Sequence, residues 1–434
     1  VARALRPFAP VEPAEAITAA VMTVTVFLLL TAYYLLKTAR EPLILLHGGA
    51  EVKSYASAGQ SLLLLGVVPA YAALARRVGR MRLVASVYLF FAANLLIFAA
   101  LARAHLPIGV AFYLWVGVFS VTAIAQFWSF ANDIYDAEQG KRLFAVLGIG
   151  SSVGAVAGAV IARRLAALGP QALMLGAALI LGACLVLFAF VDRRERSSAG
   201  RAGRALADQP VVGDQGLSFL LRDRYLLLIA ALTFLLNCVN STGEYLLDRT
   251  LLAAAGTAAA HGVTPEVFVG QFKAEFFGWV NAIGVLLQLF AVSRVLEYAG
   301  VRRALFVLPL VASASYAFML VAPVLALIRV GKIAENSLDY SLQNTTRQAL
   351  FLVATRAEKY LGKTVVDTFV VRMGDVFSAL LVLAGARLSL PPQAFAAINL
   401  GLIALWVAVV AAIAREHRRR SAEELVQALP AAAQ

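Results

Sequence analysis

Apolar residues run along this chain in long unbroken blocks instead of alternating with polar ones. The blocks fall near 15–37, 56–75, 82–102, 107–131, 143–167, 171–191, 225–247, 276–296, 303–321, 323–341, 364–386 and 393–414. Each is close to the roughly 20 residues that carry a helix across a bilayer, and none shows the period-two alternation of a membrane barrel. The pattern predicts an all-α integral membrane protein of about twelve transmembrane helices. It is weakest where the ninth and tenth blocks abut at Ala322-Pro323 and over 248–275, where no clear block forms.

The polar stretches between the blocks give the order. Residues 192–224, rich in Arg, Gly and Ala, form the one long connection. The expected domains are an N-terminal six-helix bundle at 1–191, a cytoplasmic linker at 192–224, a C-terminal bundle at 225–414 and a cytoplasmic tail at 415–434. Leu217–Leu221, before Arg222, reads as a short amphipathic helix lying on the membrane. Basic residues gather in the even connections: Arg76, Arg77, Arg80 and Arg82, then Arg193, Arg194 and Arg196, then Arg302 and Arg303, then Arg415 to Arg420. Lys and Arg concentrate on the cytoplasmic side, so both termini are expected there, in a bacterial inner membrane. The turn Val78-Gly79-Arg80-Met81-Arg82 is echoed by Ala299-Gly300-Val301-Arg302-Arg303. With a central linker, this echo resembles the six-plus-six repeat of major facilitator proteins.

Composition narrows the class. The chain is 61% hydrophobic and 15% charged, with a mean hydropathy of +0.80. Soluble domains are nearer half apolar and a quarter charged. The net charge of +13 reads as cytoplasmic loop charge. No basic stripe with interleaved aromatics appears, so no nucleic acid is expected as a partner. Cys184 and Cys238 lie in apolar runs and read as core residues. Gly150, Gly154 and Gly158 form a small-residue helix face. The histidines fall in loops or tails, with no metal constellation and no Ser-His-Asp arrangement, so neither an enzyme nor a bound cofactor is expected. The first 16 residues carry three prolines and no apolar core of signal-peptide length, so no cleaved signal is expected.

Ionisable side chains at membrane depth are costly and point to function. Here they cluster. Helix 1 ends in Lys37, Arg40 and Glu41; helix 4 in Asn132 and Asp133; helix 7 carries Asn237, Asn240, Glu244 and Asp248. Helix 10 carries Arg329, Lys332, Glu335, Asn336 and Asp339, and helix 11 carries Lys363, Asp367, Arg372 and Asp375. Lys37 and Arg40 are i,i+3, so two cations share a helical face and call for an anion. Glu41 is one candidate and a bound phosphate another. Lys332 with Glu335, Glu335 with Asp339 and Lys363 with Asp367 have helical pair spacing, which suits ion pairs or gates. Tyr33, Tyr34, Phe127, Trp128, Phe130, Tyr245 and Tyr340 are the nearby aromatics, as base-stacking surfaces or as packing.

Several stretches resemble the ATP/ADP translocase family. Leu35-Leu36-Lys37-Thr38-Ala39-Arg40-Glu41-Pro42-Leu43 is similar to the family's LRxxKDxL, with charge kept and residue types swapped. Phe127-Trp128-Ser129-Phe130-Ala131-Asn132, followed by Lys141-Arg142-Leu143-Phe144, resembles FWxFAN…AKRFY. Tyr340 to Gln348 is similar to YSLFDPTKE, with Arg347 for the lysine, and Gly362 to Asp367 resembles GKAAIDVV. Asn240 to Glu244 resembles the helix-7 segment that holds an acid. A family glutamate falls near Val116, and Asp375 stands where the family has a second lysine. The resemblance implies a divergent, major facilitator-like antiporter, and a monomer is expected. It would exchange ATP for ADP, or a related phosphorylated anion, with nucleotides as substrates and not cofactors. The implied substrate contacts are Lys37, Arg40, Asn132, Asn240, Glu244, Tyr340, Arg347 and Lys363. Glu41, Lys332, Glu335, Asp339, Asp367, Arg372 and Asp375 would gate or balance charge. Two alternatives stay open: a proton-coupled facilitator for another organic solute, titrating at Glu244 or Asp367, and a nucleotide-binding membrane sensor that moves nothing.

Overall fold

The computed structural model describes residues 15–75, 77–135, 137–198, 223–260, 262–351 and 366–428, and every regular element among them is helical. Helix α1 (Ala16–Ala75) breaks at Gly49, whose φ of 76° and ψ of 178° suit only a residue without a Cβ. A helix rises about 1.5 Å per residue, so the 60 residues of α1 exceed one crossing, and Gly49 separates two. Then follow α2 (Arg80–Arg103), α3 (Gly109–Ile134), α4 (Ala137–Leu165) and α5 (Pro170–Ser198). Beyond the linker come α6 (Arg224–Ala259), α7 (Pro265–Phe290), α8 (Val292–Tyr298), α9 (Gly300–Ala304) and α10 (Val307–Val321). The last are α11 (Leu325–Leu338), α12 (Asn344–Leu350), α13 (Val371–Arg387) and α14 (Pro392–Ala428). A π-helical turn, Asp339–Gln343, joins α11 to α12, and another, Val366–Val370, leads into α13.

Among the described residues, eight helices are long and apolar enough to cross a membrane, or nine with α7 and α8, bent by 45°, taken as one. About twelve are expected; among the described residues the difference lies in the two arms of α1, which form one continuous helix apart from Gly49, and in the charged rods 325–350 and 366–387. Those rods carry Lys332, Glu335 and Asp339, and Arg372 and Asp375, which lowers their hydropathy without interrupting the backbone.

Several helices outrun the apolar blocks. α1 continues past Lys37, Arg40 and Glu41 to the break at Gly49, so these charges lie inside a helix and not at its end. α6 extends through Ala259 and α7 begins at Pro265, filling most of 248–275. α14 carries the expected tail as helix to Ala428. Lys, Arg and Glu end an apolar run but are good helix formers, as is the alanine that fills much of 248–259. The paired basic turns are alike in sequence but not in backbone. Gly79 is extended at φ −61° before α2, whereas Gly300 is left-handed at φ 73°.

The chain forms two compact units. Unit 1 comprises Val1–Gly49, Leu62–Pro210 and Ala255–Asn281; unit 2 comprises Ala50–Ser61, Val211–Ala254 and Ala282–Gln434. Relative to the expected halves, residues 50–61 and 255–281 change sides. Inside unit 1 the glycine face of α4 meets α1. A Cβ at Gly154 would overlap the Phe27 backbone, and one at Gly158 would lie 2.8 Å from the Thr31 carbonyl oxygen. The Thr31 hydroxyl donates to the Gly154 carbonyl at 3.2 Å, sealing this close approach. In unit 2, residues 50–61 are fixed by polar bonds to α6 and α13. Lys53 pairs with Asp248 at 2.7 Å, the Tyr245 hydroxyl donates to Glu51 at 2.8 Å, and Ser61 donates to Asp375 at 2.8 Å. Cys184 and Cys238 are buried free thiols, as their apolar context predicts.

Candidate functional site

Unit 1 concentrates charge where α1, α3 and α7 meet. Pro42 lies inside α1 and brings no amide donor, so the Thr38 carbonyl, in the same turn as Lys37 and Arg40, lacks its i+4 partner. Glu41 is fully buried and shared by two cations: its Oε1 lies 3.1 Å from Arg40 Nε and its Oε2 lies 3.6 Å from Lys273 Nζ. Lys273, on α7, is also fully buried. The Arg40 guanidinium lies 4.4 Å from the centre of the Tyr113 ring on α3, and its side chain keeps 13% of its exposure. Lys37 Nζ sits 4.2 Å over the Phe277 ring and 5.3 Å from Tyr34. The Tyr34 hydroxyl donates to Asn281 at 2.9 Å. Aromatic faces attract cations electrostatically and so offset part of the cost of removing them from water. Tyr34, Lys37 and Glu41 on α1 thus meet Lys273, Phe277 and Asn281 on α7, each set at helical spacing.

Lys273 is the residue that hydropathy alone does not reveal. The apolar block begins only at 276, because Lys273 and Glu275 dilute the turn before it. A local signal was present. Thr264-Pro265-Glu266 reads as a helix start, with a capping-type residue, proline at the first helical position and an acid in the first turn. Phe268, Val269, Phe272 and Phe276 follow at helical spacing.

Unit 2 holds a second polar cluster. Lys332 Nζ donates to Asn240 Oδ1 at 2.8 Å and contacts Glu335 at 3.2 Å, the expected i,i+3 pair. Asn336 donates to Glu244 at 3.0 Å. Asp375 accepts from Asn237 at 2.8 Å and Ser241 at 3.1 Å, and lies 3.7 Å from Arg372. Gly243 and Gly374 permit these approaches; a Cβ at Gly374 would lie 2.9 Å from Asn237. A small recess is lined by Asn240, Glu335 and Asp339 together with apolar residues that include Leu236, Val239 and Trp406.

The remaining expected residues are placed differently. Asn132 is exposed in the last turn of α3, while Tyr113 meets Arg40 in the first turns. At about 1.5 Å per residue these levels are roughly 28 Å apart along α3, so Asn132 stands apart from the Arg40 cluster. Beside it, Arg80 pairs with Asp192 at 2.7 Å. Phe127 and Phe130 are fully buried and pack on Phe188, which makes them core and not stacking surfaces. Tyr340 is half exposed on the π-helical turn, and Arg347 is half-buried on α12. Lys363 and the side chains of Lys141, Arg142 and Asp367 lie outside the described residues, as does Leu217–Leu221.

The ADP,ATP carrier protein 1 of Chlamydia pneumoniae is 24% identical over 337 residues, covering 66% of this chain and 63% of that protein. The chain thus spans about three fifths of the length of this curated relative. Among solved structures, the nucleoside transporter NupG superposes with a TM-score of 0.63 at 10% identity, covering 91% of this chain and 98% of the other. A bacterial homologue of the iron transporter ferroportin, in its inward-facing state, gives 0.63 at 14% identity, covering 91% and 98%. These structures share the fold. The family profile of the Major Facilitator Superfamily matches residues 16–331, well over half of the chain, and the chain belongs to that superfamily.

Proposed function

We propose that the chain is a membrane transporter for a phosphate-bearing organic anion, with ATP and ADP as the exchanged pair. The observation that carries this reading is the cation cluster of unit 1. Lys37 and Arg40 stand one turn apart on α1, each against an aromatic ring. Desolvated guanidinium and ammonium groups bind phosphate oxygens strongly, and rings beside them suit a ligand with a flat apolar part. The likeness to a chlamydial ADP,ATP carrier supports the same substrate class. In this reading Lys37 and Arg40 hold phosphates. Arg347 and Lys363 add further cations, and Glu244 and the pairs around Lys332 and Asp375 balance charge as the protein changes state. Exchange follows if the carrier reorients slowly when no substrate phosphate matches these cations.

Binding to purified protein tests the substrate class directly. Labelled ATP should bind saturably and be displaced by ADP and by pyrophosphate, but not by adenosine, because the phosphates supply most of the affinity. Displacement by adenosine and not by pyrophosphate would overturn the phosphate assignment.

A further inference from the structure

Lys273 has no counterpart among the residues that the sequence patterns single out, yet it is fully buried against the candidate site. It meets Glu41 Oε2 at 3.6 Å, while Arg40 takes Oε1 through Nε at 3.1 Å. Glu41 is therefore divided between a cation that solvent does not reach and one that is 13% exposed. An anion arriving at Arg40 competes with Glu41 for the same guanidinium. The more of the Glu41 charge that Lys273 neutralises, the weaker this competition. Glu41 in turn fixes the guanidinium by its Nε edge, 4.4 Å from the centre of the Tyr113 ring.

We propose that Lys273 is a positioning residue for anion binding: by holding one oxygen of Glu41 it frees the Arg40 guanidinium to meet a phosphate-bearing substrate. Glu41 then acts as a built-in competitor that weakens the bound state and speeds release. The inference rests on the phosphate reading of the same site. Without Lys273, the Glu41 charge falls more fully on Arg40 and anion affinity drops. Without the Glu41 charge, Arg40 meets the ligand free of this competition and affinity rises.

The test is pyrophosphate affinity, measured by displacement of labelled ATP from purified protein, for wild type, Lys273→Gln, Lys273→Arg, Glu41→Gln and the Glu41→Gln/Lys273→Gln double variant. Thermal unfolding of each reports folding separately. Expected are a loss of about tenfold for Lys273→Gln, near wild-type affinity for Lys273→Arg, and a gain of about tenfold for Glu41→Gln, each the size of one charge-assisted hydrogen bond. The double variant should resemble Glu41→Gln and not Lys273→Gln, because Lys273 acts only through Glu41. Loss of the buried pair lowers the unfolding temperature on either reading, so the affinities decide: a purely structural Lys273 would leave the double variant as weak as the single. Unchanged affinity in Glu41→Gln, with wild type binding pyrophosphate, overturns this inference alone. No pyrophosphate binding by folded wild type overturns both it and the phosphate reading.

Discussion

Glu41 on α1 and Lys273 on α7 face each other with 3.6 Å between Oε2 and Nζ, and neither side chain reaches solvent. Removing one member of a buried ion pair typically costs about 3–5 kcal/mol, whereas replacing both by apolar groups of similar size is often tolerated. Lys273→Met should therefore lower stability clearly. Adding Glu41→Met should recover part of the loss, so the double-mutant cycle shows coupling beyond about 0.5 kcal/mol. Thermal unfolding in detergent or lipid reads it; additive losses would show that the contact contributes nothing as a pair.

The α1–α4 contact makes a prediction with an internal control. A Cβ at Gly154 would overlap the Phe27 backbone, while Gly182 in α5 has nothing within 4 Å of where its Cβ would be. Gly154→Ala should destabilise by roughly 1–3 kcal/mol through overpacking. Gly182→Ala should be neutral or stabilise by up to about 1 kcal/mol, because alanine loses less chain entropy in a helix. Equal unfolding temperatures for the two variants would mean that α4 does not approach α1 this closely.

A third prediction concerns residues 50–61. Lys53 and Asp248 meet at 2.7 Å with side chains 10% and 2% exposed. Lys53→Ala leaves Asp248 buried without this cation and should loosen the segment that follows Gly49. Hydrogen exchange is the readout. Amides of 50–61 should exchange faster in the variant while those of α2 to α5 keep their rates. Uniformly faster exchange throughout would point instead to global destabilisation.

Arg40 gives the functional counterpart. Its guanidinium lies against Tyr113 and Glu41 without closing the core, and α1 is held independently by the glycine face of α4. Arg40→Gln should abolish ATP uptake while leaving thermal unfolding within a few degrees of wild type. Wild-type uptake in that variant would remove Arg40 from the site.

Much of this architecture can be read from the apolar blocks, because lipid requires each crossing to satisfy its backbone internally and so forces long helices. The small-residue spacing of Gly150, Gly154 and Gly158 marks a close contact, and the structure supplies Thr23, Phe27 and Thr31 as the partner face. The pair spacing of Lys332 and Glu335 likewise gives a real contact.

Other features depend on tertiary proximity and leave little local trace. Lys37 and Arg40 share a stretch of α1, yet one side chain meets α7 and the other α3, which spacing alone does not fix. Lys273 escapes a hydropathy reading because charge within a helix resembles a loop when only apolar content is counted. Asn132 is the converse case. It belongs to the Phe127–Asn132 stretch that most resembles the translocases, but the buried phenylalanines serve packing and Asn132 lies far along α3 from Arg40. A motif match there reports shared folding as readily as shared chemistry.

Counterflow tests the central claim most directly. Purified protein is placed in liposomes preloaded with ADP, and labelled ATP is added outside. Saturable uptake that requires internal ADP, and that Arg40→Gln abolishes, is the predicted result. Folded protein that gives no uptake, or uptake indifferent to internal ADP, would contradict nucleotide exchange.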